Sequence, residues 1–154
     1  MSLLCLFLIA GCYNEDRFLS ELEEIYCKSA SQCDNCKDVS ECEAESSWKD
    51  LDRDTRNELM EACYLYNETE FGINFFKPAS EIVIEDLPNY KCTYNNAPAR
   101  QCIRNMKDYY HDFDWSNERF LHDCLYDMGW HFFNRYLEDK DCKDVRPCDF
   151  GDGR

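Results

Sequence analysis

Ten cysteines from Cys27 to Cys148 and three histidines between Tyr110 and Phe132 are the residues whose types and spacing could do chemistry. Paired thiols can cycle between reduced and oxidised forms, four thiolates can hold zinc, and a histidine beside a carboxylate can move a proton. Cys33-Asp34-Asn35-Cys36 has the C-x-x-C spacing of a redox pair, but no strand precedes it and no strand-helix-strand pattern surrounds it. Cys27, Cys33, Cys36 and Cys42 could supply four thiolates, yet structural zinc sites pair two C-x-x-C units and this stretch holds one. The expected role of these thiols is oxidation in pairs.

The histidines are His111, His122 and His131, and Glu118 with His122 and Asp127 with His131 stand at i, i+4, the spacing of ordinary pairs on a helix surface. His122-Asp123-Cys124 resembles the His-Asp pair of secreted phospholipases A2, where histidine activates water and aspartate holds calcium. Here no Cys-Cys precedes the pair, the cysteine register is shifted and the glycine-rich calcium loop is missing, so a calcium-dependent hydrolase is the remote alternative. Asp50, Asp52, Asp54, Arg56, Glu58 and Glu61 fall at positions 1, 3, 5, 7, 9 and 12 of a loop similar to an EF-hand. Thr55 stands where the turn needs glycine and Asn57 where an aliphatic residue belongs, so an acidic helix start accounts for them better. H-E-x-x-H, G-x-S-x-G and P-loop motifs are all missing. We expect no catalytic residue, no metal and no cofactor.

The elements that must position these residues follow from composition and period. The 154 residues suffice for one domain with a core, and five glycines with four prolines argue against a turn-dense β fold. Net charge is −15, which disfavours nucleic acid as a partner and suits a cationic one. From Tyr13 to Glu70 there are 17 acidic and 6 basic residues, a net −11, whereas Phe71 to Arg154 carries a net −4. Self-repulsion in the first half is what covalent bridges would offset.

Met1 to Cys12 is an apolar run too short to span a bilayer and long enough for a signal-peptide core, although it carries no Lys or Arg at its start. Ala10 and Cys12 fit a eukaryotic cleavage site, and Leu8-Ile9-Ala10-Gly11-Cys12 also resembles a bacterial lipobox. The eukaryotic reading is favoured by many cysteines and by the sequon Asn67-Glu68-Thr69, with Asn67 as a glycosylation position. Residues 1–12 are then the signal peptide and 13–154 a single cysteine-rich helical domain. The half-cystines are expected at Cys27, Cys33, Cys36, Cys42, Cys63, Cys92, Cys102, Cys124, Cys142 and Cys148, in pairings that spacing leaves open.

Four helices are predicted. The first is capped by Asn14, buries Phe18, Leu19, Leu22, Ile25 and Tyr26, and is closed by Cys27. Ser29 to Ser47 reads as a cysteine-stapled loop. The second helix lies within Trp48 to Tyr66 with Asp52 or Asp54 as cap and Leu59, Met60, Cys63 and Tyr66 inward. Asn67 to Tyr90 connects, with Phe71, Phe75 and Phe76 folded onto the core and Ser80 to Leu87 readable as strand or short helix. The third helix starts with Asn96 as cap and Pro98 in its first turn, and turns Cys102, Ile103, Met106, Tyr110 and Phe113 inward. The fourth runs from after Ser116 to about Leu137, with Leu121, Cys124, Leu125, Met128, Phe132 and Tyr136 on one face, and is the element the others are expected to pack around. Asp141 to Arg154 reads as a polar tail pinned by Cys142 and Cys148.

The expected fold is all-α, a disulfide-stabilised bundle of about four helices with a cysteine-rich loop. Arg100, Arg104 and Lys107 recur at i, i+4 and i+7 on the third helix and form a basic stripe in an acidic chain. They either pair with the acidic first half or form a contact patch, for which arginine is enriched. The function these features suggest is a secreted, extracellular, toxin- or effector-like protein that binds an extracellular protein or receptor, with no membrane span. A carrier of a small hydrophobic ligand is the alternative, suggested by 15% aromatic residues and by the cavities helix bundles enclose. The cysteine spacing lacks the C-x-x-x-C of insect odorant-binding proteins.

Overall fold

Asn14 adopts an extended conformation, φ −121° and ψ 175°, and its side chain accepts a hydrogen bond from the Arg17 N–H at 3.0 Å. That bond satisfies one of the free donors at a helix start, and Glu15 and Asp16 in the first turn suit its positive end. Helix α1 (Glu15–Ala30) follows. The structure is a computed structural model, and it describes residues 13–33, 50–69, 76–81, 91–120 and 124–149. The proposed signal peptide at 1–12, Cys36 and Cys42, and most of the cysteine-rich loop lie outside the described residues.

Phe18, Leu22 and Tyr26 are fully buried along α1, at the spacing that lines one helix face. The helix does not close at Cys27 as its period suggested. It continues to Ala30 because Ser29 and Ala30 are themselves buried, and the Trp115 indole N–H donates to Ser29 Oγ at 2.7 Å.

Helix α2 (Arg53–Thr69) is started by Asp52, whose carboxylate accepts from the Thr55 N–H at 2.9 Å and the Thr55 hydroxyl at 2.8 Å. These two bonds hold the Asp52 carboxyl below the usual carboxylate range. Because Asp54, Arg56, Glu58 and Glu61 sit on this helix, they are not disposed around a calcium loop. The sequon at Asn67 falls inside α2 rather than in a connection.

Helix α3 (Ala99–His111) begins differently from its predicted start. Pro98 itself occupies the N-cap with no side-chain cap, while Asn96 Oδ1 accepts from the Tyr94 hydroxyl at 3.0 Å. Proline tolerates that place because it has no N–H to satisfy and its φ is already near helical. Ala99, Cys102, Ile103, Met106 and Tyr110 are buried, and Phe113 packs partly buried beyond the helix end.

Helix α4 (Cys124–Glu138) starts later than its pattern indicated. The chain first makes a tight 3-10 turn at Trp115–Asn117 that carries the buried Trp115, and residues 118–120 are not helical. Met128, Phe132 and Tyr136 are buried as expected. Leu121 and the side chains of Cys124 and Leu125 lie outside the described residues.

The supposed polar tail contains a short helix, α5 (Lys140–Val145). The Asp139 carboxylate accepts from the Asp141 and Cys142 N–H groups, both at 3.0 Å, and Cys142 and Val145 are fully buried. Two-residue strands β1 (Lys91–Cys92) and β2 (Cys148–Asp149) pair antiparallel, with Lys91 opposite Asp149 and Cys92 opposite Cys148.

Helix α1 packs against α2, α3 and α4, while α5 packs on α3 and α4. The helix at the centre of the bundle is therefore α1 and not α4. Its apolar face meets three neighbours, whereas α4 leaves Tyr126, Trp130 and Leu137 exposed. Rings fill the interior: Tyr26 meets Phe132 edge-on at 5.3 Å and Phe76 at 5.7 Å, and Tyr110 lies 5.0 Å from Phe132. Such pairs add about 0.5–1.5 kcal/mol each beyond the area they bury. Phe76 thus joins the core as predicted, and Phe71, Phe75 and residues 82–87 lie outside the described residues.

Two disulfides weld the helices. Cys27–Cys63 joins α1 to α2 across 36 residues, and Cys102–Cys142 joins α3 to α5 across 40. Cys33 and Cys92 are disulfide-bonded as well. The fold is a disulfide-stabilised helical bundle.

Candidate functional site

Arg100, Arg104 and Lys107 are exposed on one side of α3, away from the face that buries Cys102, Ile103 and Met106. Their backbone is held by the Cys102–Cys142 bridge and by Asn105, whose amide donates to Asp139 at 3.0 Å and to Asp141 at 3.2 Å. Arg104 donates to Gln101 Oε1 at 2.6 and 3.2 Å, an exposed contact on its own helix. Among the described residues neither Arg104 nor Lys107 pairs with a carboxylate.

Arg100 does reach the acidic first half, through a ring. Its guanidinium lies 5.3 Å from the Tyr13 ring centroid, and Arg17 lies 5.3 Å from the same ring. The Tyr13 hydroxyl donates to Glu21 Oε2 at 3.1 Å while Arg17 Nε donates to Glu21 Oε1 at 3.0 Å. Burial, and then the Glu21 carboxylate, raise the Tyr13 phenol well above its ordinary value, so it stays a neutral donor. This clasp fastens the amino-terminal end of α1 to α3.

Two of the histidines, His111 and His131, fall among the described residues, in different settings. His111 pairs with Asp112 at 2.9 Å, both exposed. His131 is half-buried, with Nδ1 3.0 Å from the Tyr110 hydroxyl and the Phe113 and Trp115 rings each at 5.1 Å. Burial lowers its pKa and raises that of Tyr110. Among the described residues neither His111 nor His131 hydrogen-bonds a serine, threonine or cysteine. His122 lies outside the described residues, and Glu118, predicted to be its helical partner, precedes α4 in a non-helical segment.

The sulfur sites are closed to metal where they are described. Cys27 is bonded to Cys63 and cannot serve as a thiolate, and among the described residues no three His, Cys, Asp or Glu side chains gather as metal ligands. Asn67, the sequon residue, turns its amide inward: Nδ2 donates to Glu23 Oε1 at 3.0 Å and lies 3.4 Å from Cys27 Sγ.

A feature without a clear signal in the sequence is a hollow between α1 and α2, lined in part by Lys28, Arg53, Arg56, Met60 and Tyr64. Its trace in the sequence is the run Arg53, Arg56, Met60 and Tyr64, which recurs at helical period on one face of α2. No described helix is long and apolar enough to cross a membrane. Comparison with protein-family models, curated proteins and solved structures finds no match to this chain.

Proposed function

We propose that this chain is a secreted helical protein, clamped by disulfides, that acts by binding an extracellular protein target in the manner of a toxin or effector and carries out no reaction of its own. The observation that supports it best is the exposed pair Arg104 and Lys107 on a helix bonded through Cys102 to α5, in a chain of net charge −15. A cationic patch on a rigid helix in an otherwise repulsive field gives an acidic partner one orientation in which to dock. Rigidity matters because side chains already held in place lose less entropy on binding. Disulfide bonding supports the extracellular setting, since such bonds persist in oxidising compartments.

The test is charge reversal. Arg104→Glu with Lys107→Glu should leave far-UV circular dichroism and the thermal midpoint close to wild type, because both side chains are exposed. Binding of the fluorescently labelled variant to intact cells that bind the wild-type protein should be abolished. Undiminished cell binding would remove the α3 stripe from the proposal, and release of a product from those cells by the purified protein would overturn the non-catalytic reading.

A further inference from the structure

The hollow between α1 and α2 has a volume of about 450 Å³, inside the range of about 300–1,000 Å³ that small-molecule sites occupy. Its walls are unusual for where they lie. Lys28 comes from the last turn of α1, and Arg53 and Arg56 from the start of α2. These are three of the six basic residues between Tyr13 and Glu70, set among 17 acidic ones, so half the positive charge of the acidic half of the chain meets at one depression. Next along the same face of α2 come Met60 and Tyr64, both half-buried, which give the hollow an apolar part.

Glu24 and Glu61 also line it, and they give it polarity. Glu61 lies about two turns beyond Arg53 on α2, and Glu24 lies close enough to Tyr64 to act, after burial, in raising the Tyr64 phenol pKa. The hollow thus gathers three cations, two carboxylates and a protonated hydroxyl around its apolar part. The disulfide Cys27–Cys63 fixes the two helices that form the walls, so the backbones that carry these groups are already held together before binding.

We propose that this hollow binds a small amphipathic organic anion, with its acidic head among Lys28, Arg53 and Arg56 and its ring or alkyl part over Met60 and Tyr64. Guanidinium groups offer planar, bidentate donors to carboxylate or sulfonate oxygens, and such charge-assisted hydrogen bonds are roughly twice as strong as neutral ones. Glu24 and Glu61 repel a second anionic group and so favour a ligand with a single acidic head. The site goes beyond the protein-binding role of α3 and shares no residue with it.

The experiment titrates the oxidised full chain with anilinonaphthalene sulfonate, followed by its fluorescence, and in parallel with phenylnaphthylamine, a related aryl amine without the sulfonate. The expected result is one saturable site for the sulfonate, weakened by salt, with the neutral amine held at least about tenfold less tightly, as loss of a charge-assisted contact requires. Arg53→Gln with Arg56→Gln should weaken the sulfonate by about tenfold or more, while Arg104→Gln with Lys107→Gln leaves it unchanged. Should the first double variant lose its helical signal, Lys28→Gln at an exposed position carries the same expectation of weaker binding. Equal affinity for the two probes, a sulfonate titration unchanged by these substitutions, or no saturable binding at all would each overturn the proposal.

Discussion

The indole N–H of Trp115 and the hydroxyl of Ser29, 86 residues apart, meet in the core at 2.7 Å. Both groups are buried, so each depends on the other for its hydrogen bond. Ser29→Ala leaves the indole donor without this acceptor and should cost about 1–3 kcal/mol, the penalty for a buried unsatisfied group. Denaturant midpoints for Ser29→Ala, Trp115→Phe and the double variant form a thermodynamic cycle that isolates the pair. A double variant that loses the sum of the two single losses would show that the groups do not cooperate.

His131 supplies a pH dependence. Burial depresses its pKa in the folded chain below the unfolded value of 6.5. The folded state therefore binds the proton less well than the unfolded one, and its stabilising contribution is complete above pH 6.5 and lost as pH falls toward the lower folded pKa. In His131→Gln, which keeps a hydrogen-bonding group near Tyr110, the loss of stability on acidification through this window should be smaller than in the wild type. Parallel stability curves for the two proteins would refute this.

Removing the covalent tie between α3 and α5 tests how far packing alone holds the short helix. Cys102→Ala with Cys142→Ala should lower stability by about 2–4 kcal/mol, since the bridge restricts the unfolded chain over a long loop. The variant's thermal midpoint should fall while its helical signal at low temperature persists, because Val145 and the Asp139 cap remain to dock α5. A midpoint equal to the wild type would mean that the sulfur link adds nothing to the packing.

Asn67 gives a prediction readable by mass. Its side-chain nitrogen faces Glu23 and the Cys27–Cys63 bridge, where a glycan would need space those groups occupy. Intact mass of the chain expressed through a eukaryotic secretory pathway, before and after reduction, should show oxidised cysteines and no hexosamine on Asn67. A glycan at that residue would require α2 to turn this side chain outward.

Helix faces were legible in the sequence where burial follows a steady period: Phe18, Leu22 and Tyr26 on α1, Ile103 and Met106 on α3, Phe132 and Tyr136 on α4. Asn14 was legible as a cap, and Asp52 as one of two candidates beside Asp54, because a short polar side chain satisfies a helix start through local bonds. Boundaries set by distant contacts were not. The end of α1 depends on Trp115, and the late start of α4 depends on burial of that same indole in a tight turn, neither of which leaves a periodic trace. Helix α5 is too short to show a period, and its cap Asp139 reads like any other acidic residue. The basic stripe of α3 was visible as spacing on one helix. The hollow was not, because Lys28 and Arg53 meet only once α1 and α2 are brought side by side.

The linkage of Cys27 to Cys63 also bears on attack by peptidases. Hydrolysis of any one peptide bond between those two residues opens the backbone but releases no fragment, since both pieces stay tethered through sulfur. The same holds between Cys102 and Cys142. A nicked molecule would keep its size on a non-reducing gel and separate only after thiol treatment, so a single cut in either span need not end the protein's working life.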